Sequence, residues 1–166
     1  MDAEEAILTR RSIREYTDRP VSPDDVSALL EAARWAPSGL NNQPWRFTVI
    51  DEQEQKRQLA SHTRYGPIIK SAPCCIIVWL HPDSCYDRTK DLQAIGATIQ
   101  NILLAAHNRG LGAVWLGEIL NDRVKAEAAL NNPAGCELMA VVAVGHPRQK
   151  PRSTRKPLSE LRIDER

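Results

Sequence analysis

Apolar positions repeat at helical spacing in some stretches of the chain and crowd into short runs in others. Val26, Leu29, Leu30 and Ala33 fall three and four residues apart, so one face of a helix is buried there. Ser22-Pro23-Asp24-Asp25 starts that helix: Ser22 can cap, Pro23 suits the first helical position, and two aspartates favour the positive dipole end. It stops before Pro37, because the residue ahead of a proline leaves the helical region. The longest periodic stretch, 91–109, sets Ile95, Ile99, Ile102, Leu103 and Ala106 on one face, with Gly110 as its stop. Shorter helices are predicted over 3–9, 51–61 and 122–130. Trp45 to Ile50, Cys74 to Leu80, Leu111 to Leu116 and Glu137 to Val144 read as strands. Residues 38–44 and 81–90 read as loops, and 145–157 is basic, proline-rich and extended. Helices and strands alternate over uneven connections, which predicts α+β or α/β, a sheet with helices on its faces. The expected organisation is a single domain over 1–166, with a C-terminal arm from about 145.

Composition narrows the class. The chain has 166 residues, 42% hydrophobic and 26% charged, which is ordinary for a globular protein with a real core. Lys and Arg total 22 against 21 acidic residues, so no global field draws it to nucleic acid or to a membrane. No early apolar run suits a signal peptide and none reaches membrane-spanning length, so the expectation is a cytoplasmic protein. Cys74, Cys75, Cys85 and Cys136 fit reduced thiols, buried in the apolar run at 74–75. Cys74, Cys75, His81 and Cys85 lie close in sequence, but strand neighbours point to opposite faces, so no metal is expected. His62, His107 and His146 have no ligand spacing, and no Ser-His-Asp or Cys-His arrangement is readable. The basic tail 148–156 lacks aromatic residues to stack on bases, so no nucleic-acid partner is expected.

Three stretches hold candidate chemistry. Arg10-Arg11-Ser12-Ile13-Arg14 packs three guanidiniums and a hydroxyl into five residues. Guanidinium forks match a phosphate or a delocalised anion, and a serine can add a short bond. Alone the cluster is equally the pattern of a solvated turn. Pro37-Ser38-Gly39-Leu40-Asn41-Asn42-Gln43-Pro44-Trp45 offers hydroxyls, amides and glycine backbone that can bond the edge of a flat heterocycle, or it is an ordinary connection. Arg152 to Pro157 can complete a site with the other two.

Together with Gly110-Leu111-Gly112-Ala113-Val114-Trp115-Leu116-Gly117-Glu118, the first two stretches resemble, in order and spacing, the nitroreductase family of FMN-dependent oxidoreductases. The resemblance implies an α+β fold, a nitroreductase-like mixed sheet flanked by helices, in an interlocked homodimer with FMN at the interface. It implies that Arg10, Arg11 and Ser12 hold the phosphate and ribityl end, and that Arg14 lies near N1 and the C2 carbonyl of the flavin ring. A fixed cation there would stabilise the negative charge of reduced flavin. Pro37, Ser38, Gly39 and Asn41 resemble the loop that the partner subunit lays along the flavin. Leu116, Gly117 and Glu118 resemble the turn whose backbone reaches the N5 side, and Arg155 and Lys156 the basic residues that close on the phosphate. The implied activity is ping-pong transfer of hydride from NADH or NADPH, through flavin N5, to a small-molecule acceptor such as a nitroaromatic or quinone, with no side chain as acid or base. Gly110 to Gly117 is not a dinucleotide fingerprint, since its glycines do not match G-x-G-x-x-G and they follow a helix and open a strand.

The chain departs from the larger members in one respect. Those carry an insertion between the second strand and the long helix that helps build the substrate pocket, and here only His81 to Lys90 occupies that place. Tyr65, Tyr86 and Arg88 are the candidates for lining the pocket instead. The short loop keeps open a non-catalytic flavin-binding sensor, and the family resemblance also covers specialised flavin enzymes, such as a reductive dehalogenase or a flavin-modifying enzyme, none of which the sequence singles out.

Overall fold

The centre of the fold is strand β2, Cys74–Leu80, in which every residue is buried. Seven apolar or thiol side chains in a row satisfy only a strand covered on both faces. A computed structural model, describing residues 1–132 and 135–163, shows how the cover is built. The other strands are β1 (Trp45–Ile50), β3 (Gly112–Leu116) and β4 (Glu137–Gly145), in sheet order β1-β2-β4-β3. All three pairings among these strands are antiparallel. Among the described residues the one parallel element is a bridge from Ser12 to Ala113, so the parallel part of the expected mixed sheet falls in the arginine segment.

Side chains alternate between two cores. Cys74, Ile76, Val78 and Leu80 pack with Leu29, Ala33, Ile95, Ile99 and Ile102 on one face. These come from α2 (Pro23–Arg34) and α5 (Arg88–Asn108). Cys75, Ile77 and Trp79 pack on the other face with Leu59, Ile69 and Ala126. Those belong to α3 (Gln53–Ala60), α4 (Gly66–Ser71) and α6 (Arg123–Ala129). The adjacent cysteines thus serve opposite faces. All four cysteines are free, and burial pushes the Cys74 thiol up to about 11. In β4 the alternation slips: Ala140 pairs with Val78 but Leu138 with Trp79, leaving Met139 as the extra residue of a bulge.

Local chemistry fixes the ends of the elements. Ser22 Oγ accepts from the Asp25 amide at 3.0 Å, and Pro23 follows it into α2. The far end of α2 is tied to α5, where Thr98 Oγ1 donates to the Ala33 carbonyl at 2.6 Å and Asn101 to that of Ala32 at 2.9 Å. These carbonyls also accept from the Trp35 and Ala36 amides, so the last turn of α2 is pinned to α5 just ahead of the Pro37 loop. Lys56, 4% exposed, donates to the Ala72 carbonyl at 2.7 Å and caps α4. The helix α1 (Ala3–Thr9) begins on Asp2, which accepts from the Glu5 amide.

Two boundaries differ from the sequence pattern. Helix α5 starts at Arg88, not Asp91, because Asp87 caps it through the Lys90 amide at 3.0 Å. Helix α4 had no sequence signal, being six residues with glycine and proline in its first turn. After Gly145 the described residues form no strand, and Leu158, Leu161 and Ile163 all lie exposed. Among the described residues no helix is long and apolar enough to cross a membrane.

Glu137 joins α5 to α6. It accepts two bonds from Arg88, at 2.7 and 2.8 Å, and a further one from Arg123. The Arg88 bonds, against the cost of burial, hold its carboxyl below the usual range, and Arg123 adds to them. A depressed folded pKa gives stability that is complete above the unfolded value of about 4.3 and is lost as pH falls through the folded value. Glu137→Gln is expected to lower stability by roughly 1 kcal/mol at neutral pH and to flatten the acid limb below about pH 4. Thermal melts from neutral to acid pH measure both. A parallel offset at every pH would mean that this carboxylate does not contribute to acid sensitivity.

Candidate functional site

The arginine segment is laid down as an irregular extra strand. The Ile13 amide donates to the Ala113 carbonyl at 3.1 Å, on the outer edge of β3. Four residues on, the Thr17 amide donates to the His146 carbonyl and the Arg148 amide to the Glu15 carbonyl, both at 2.9 Å. Ile13 and Tyr16 point inward and are buried. Tyr16 Oη donates to the carbonyls of Ile13 and Ala143. Gly112 leaves room for this: a Cβ there would lie 2.7 Å from Ile13. With Ile13 fixed inward, its neighbours Ser12 and Arg14 face outward.

They open onto a cavity of about 170 Å³ that also takes in Arg10, Arg11, Arg152, Ser153 and Arg155. Five guanidiniums and two hydroxyls from both ends of the chain therefore surround one space. Other arginines of the molecule, including Arg34, Arg57, Arg88, Arg109 and Arg123, pair with carboxylates. Among the described residues none of the five around the cavity does. Arg11 donates to the Leu8 and Arg10 carbonyls, each at 2.8 Å, and Arg155 to Ser153 Oγ and the Thr154 carbonyl. Arg10 Nη1 is shut away from solvent with no hydrogen-bond partner. Burial, then the nearby charges of Arg155 and Arg11, pull the Arg10 pKa down. Like charges held together with an orphaned donor and no carboxylate describe an anion site.

The Pro37 loop is a second, separate feature. Leu40, Asn41 and Gln43 all have positive φ, at 55°, 55° and 47°. Left-handed backbone without glycine is strained, at roughly 1–3 kcal/mol per residue, and persists only where its surroundings hold it. The restraints are visible: the Gln43 amide donates to Ser38 Oγ at 3.1 Å, and the His81 amide to the Pro44 carbonyl at 2.7 Å. Asn42 donates to the Ser84 carbonyl and to Asp91. Leu40 at the tip is 85% exposed. Pro37, Ser38 and Gly39 border a cavity of about 300 Å³ with Tyr86, Lys90 and Gln93. The two cavities share no residue.

The remaining candidates divide. Leu116 is buried, Gly117 has only Trp115 near its Cα, at 3.7 Å from a built Cβ, and Glu118 turns inward. Glu118 accepts from Thr63 Oγ1 at 2.5 Å and from the Arg64 amide at 3.2 Å, so its carboxylate anchors the turn that bears Tyr65. Those bonds, Thr63 first, hold its pKa down. Tyr86 borders the Pro37 cavity, as its candidacy requires, whereas Arg88 is committed to Glu137. Lys156 is not at the arginine cavity: its ammonium lies 3.6 Å from Glu160, while Arg152 and Ser153 take the places beside Arg155. An extended tail gives no periodic signal of which residues turn inward, so Arg152 and Ser153 were not singled out from the 152–157 stretch. Among the described residues, no group of three or more His, Cys, Asp or Glu side chains is arranged to hold a metal.

Known proteins match this arrangement along most of the chain. The sequence profile of the nitroreductase family matches residues 7–68 and 60–146. A protein of Methanothermobacter thermautotrophicus named "Putative NADH dehydrogenase/NAD(P)H nitroreductase" is 39% identical over 155 residues, covering 91% of this chain and 80% of that protein. A crystal structure of a "putative nitroreductase in complex with FMN" from Desulfovibrio desulfuricans superposes with a TM-score of 0.94 at 49% identity, covering 100% of this chain and 98% of its own. The NADPH-flavin oxidoreductase of Vibrio harveyi is 30% identical over 160 residues, covering 89% of this chain and 66% of that protein. By profile, identity and fold, the chain belongs to the nitroreductase family.

Proposed function

We propose that this protein is an FMN-dependent oxidoreductase that takes hydride from NADH or NADPH and delivers it to nitroaromatic, quinone or similar acceptors. The observation that carries the reading is the arginine cavity, with its buried, unpartnered Arg10 Nη1 and no carboxylate among its lining residues. The residues fit the phosphate end of FMN. Arg10, Arg11 and Ser12 would hold it together with Arg155, and the cavity adds Arg152 and Ser153 to that set. Lys156, paired with Glu160, is a weaker member. Bound FMN supplies the redox chemistry, accepting a hydride and passing it on. Arg14, exposed and on the same cavity, would offer positive charge where negative charge develops. The backbone of Leu116, Gly117 and Glu118 would border the reacting side. No side chain needs to act as acid or base.

Pro37, Ser38, Gly39 and Asn41 would come from a second copy of the chain. Their cavity is separate from the arginines, and Leu40 extends into solvent from a strained tip. Trp35, Ile7 and Leu8 are also exposed large apolar residues, in keeping with a homodimer. Four free thiols fit a cytoplasmic setting.

If donor and acceptor use one place in turn, initial rates against NADH at several fixed quinone concentrations should give parallel double-reciprocal lines. Intersecting lines would mean that both bind together. No turnover of NADH or NADPH with any quinone or nitro compound, in protein loaded with FMN, would overturn the reading.

A further inference from the structure

Asp91 is 1% exposed, yet among the described residues it forms no ion pair. Its two oxygens are used on two different loops. Oδ1 accepts from Asn42 Nδ2 at 2.6 Å, and Oδ2 accepts from the backbone amides of Tyr86 at 3.0 Å and Asp87 at 3.1 Å. Asn42 Nδ2 also donates to the Ser84 carbonyl at 2.7 Å, which binds the same two loops a second time. A carboxylate buried without a countercharge persists only where hydrogen bonds replace its water, and here three donors do so. Burial pushes its pKa up, but the Asn42 amide and the Tyr86 and Asp87 backbone donors outweigh that, and the net shift is downward. The carboxylate is therefore charged at neutral pH.

The consequence falls on Gly39. A Cβ built there would lie 1.7 Å from Tyr86 Oη, so the phenol rests directly on this glycine. Tyr86 is held in that place by the backbone of its own loop, and that backbone is held by Asp91. The Asn42 backbone amide donates to the Gly39 carbonyl at 3.1 Å, so the same carboxylate also restrains the turn from below, among residues with positive φ.

The geometry points to Asp91 as a positioning residue that, through Asn42 and the Tyr86 and Asp87 amides, holds the strained Pro37–Gln43 loop and its Tyr86 roof in one fixed arrangement for the flavin ring. It rests on the FMN reading for its ligand, but the restraint on the loop exists without one. Neither partner was visible from sequence: Asn42 and Asp91 are 49 residues apart.

The test uses the whole chain of 166 residues and the variants Asp91→Asn, Asn42→Asp and the double exchange. An asparagine at 91 has a single acceptor oxygen, so it serves either Asn42 or the two amides. An aspartate at 42 sets two carboxylates face to face. The double exchange restores a donor–acceptor pair between the positions but not the bond to the Ser84 carbonyl, since an aspartate at 42 cannot donate. Amide hydrogen exchange in the ligand-free protein should speed up at position 42, Tyr86 and Asp87 in each single variant and recover in part in the double. FMN affinity should fall about 10–100-fold in the singles, the range for hydrogen bonds to a charged group, and recover in part in the double. Inorganic phosphate, used as a probe of the arginine cavity alone, should bind all of them equally. Unchanged exchange at these amides overturns the proposal whatever FMN does. Faster exchange with unchanged FMN affinity also overturns it, because the loop is then ordered for nothing that the flavin feels. Wild-type protein that fails to bind FMN while the exchange pattern behaves as expected would instead defeat the FMN reading and leave the restraint standing. If Asp91→Asn does not fold, Asn42→Ala tests the Asn42 half of the restraint: it removes the bonds to Asp91 and Ser84 and keeps Asp91 on its two amides, so exchange should speed up at position 42 and FMN affinity should fall, and no change in either overturns the proposal.

Discussion

Replacing Arg10 by alanine is expected to weaken FMN binding by about 100-fold while leaving the folded protein as stable as before, or slightly more so. The two effects have one cause. Arg10 Nη1 is screened from solvent and has no partner, and its pKa is held down by burial and by Arg155 and Arg11. Without a ligand, this guanidinium adds repulsion and an unsatisfied donor. With a phosphate in the cavity, the same features become charge-assisted bonds in a site where water does not compete, at roughly 1.5–3 kcal/mol each. Strain of this sort in the empty site is a common cost of function. Arg10→Lys keeps the charge but loses the planar fork, and should fall between wild type and alanine. Flavin fluorescence titration measures the affinity, and melts of the flavin-free protein measure stability. An Arg10→Ala protein that binds FMN like wild type would remove the phosphate assignment. One that unfolds easily would make Arg10 a structural residue.

The second large effect is recovery by mixing. The arginine cavity and the Pro37 cavity are lined by different residues, and in the proposed homodimer the loop of one chain meets the arginines of the other. An Arg10→Ala chain lacks the first, and a Ser38→Trp chain fills the second and removes the Ser38 oxygen that accepts from the Gln43 amide. Each homodimer should be nearly inactive. In a heterodimer the intact arginines of one chain meet the intact loop of the other, giving one complete site and one doubly damaged site. Mixing after partial unfolding, with differently tagged chains, should therefore restore FMN binding at one site per dimer. No recovery in a purified heterodimer would show that each site is built from one chain.

Much of the frame was legible because it obeys short-range rules. Ser22-Pro23 at the start of α2 and the unbroken run Cys74 to Leu80 each encode their structure within a few residues. So does Gly110, whose φ of +74° ends α5. Opposite faces for Cys74 and Cys75 followed from strand alternation alone, and the two cores agree. The arginine segment was legible as chemistry, but its shape was not. It lies beside β3 because Ile13 and Tyr16 are buried and because a glycine at 112 admits Ile13, contacts about one hundred residues apart that no local pattern records. The start of α5 was misplaced by three residues because Asp87 was read as loop and not as a cap. Arg88 was drawn away from the pocket by Glu137, a partner on a distant strand. Arg152 and Ser153 were not legible as lining residues because an extended tail has no period to read.

The most direct test of the account is the visible absorption spectrum of the purified, FMN-loaded protein before and after anaerobic addition of NADH or NADPH. The account predicts a protein-bound flavin spectrum that bleaches on addition and returns when a quinone is added. A bound flavin that stays oxidised with both donors would contradict the proposed activity and favour a flavin-binding sensor. Failure to bind FMN at all would contradict the assignment of the arginine cavity itself.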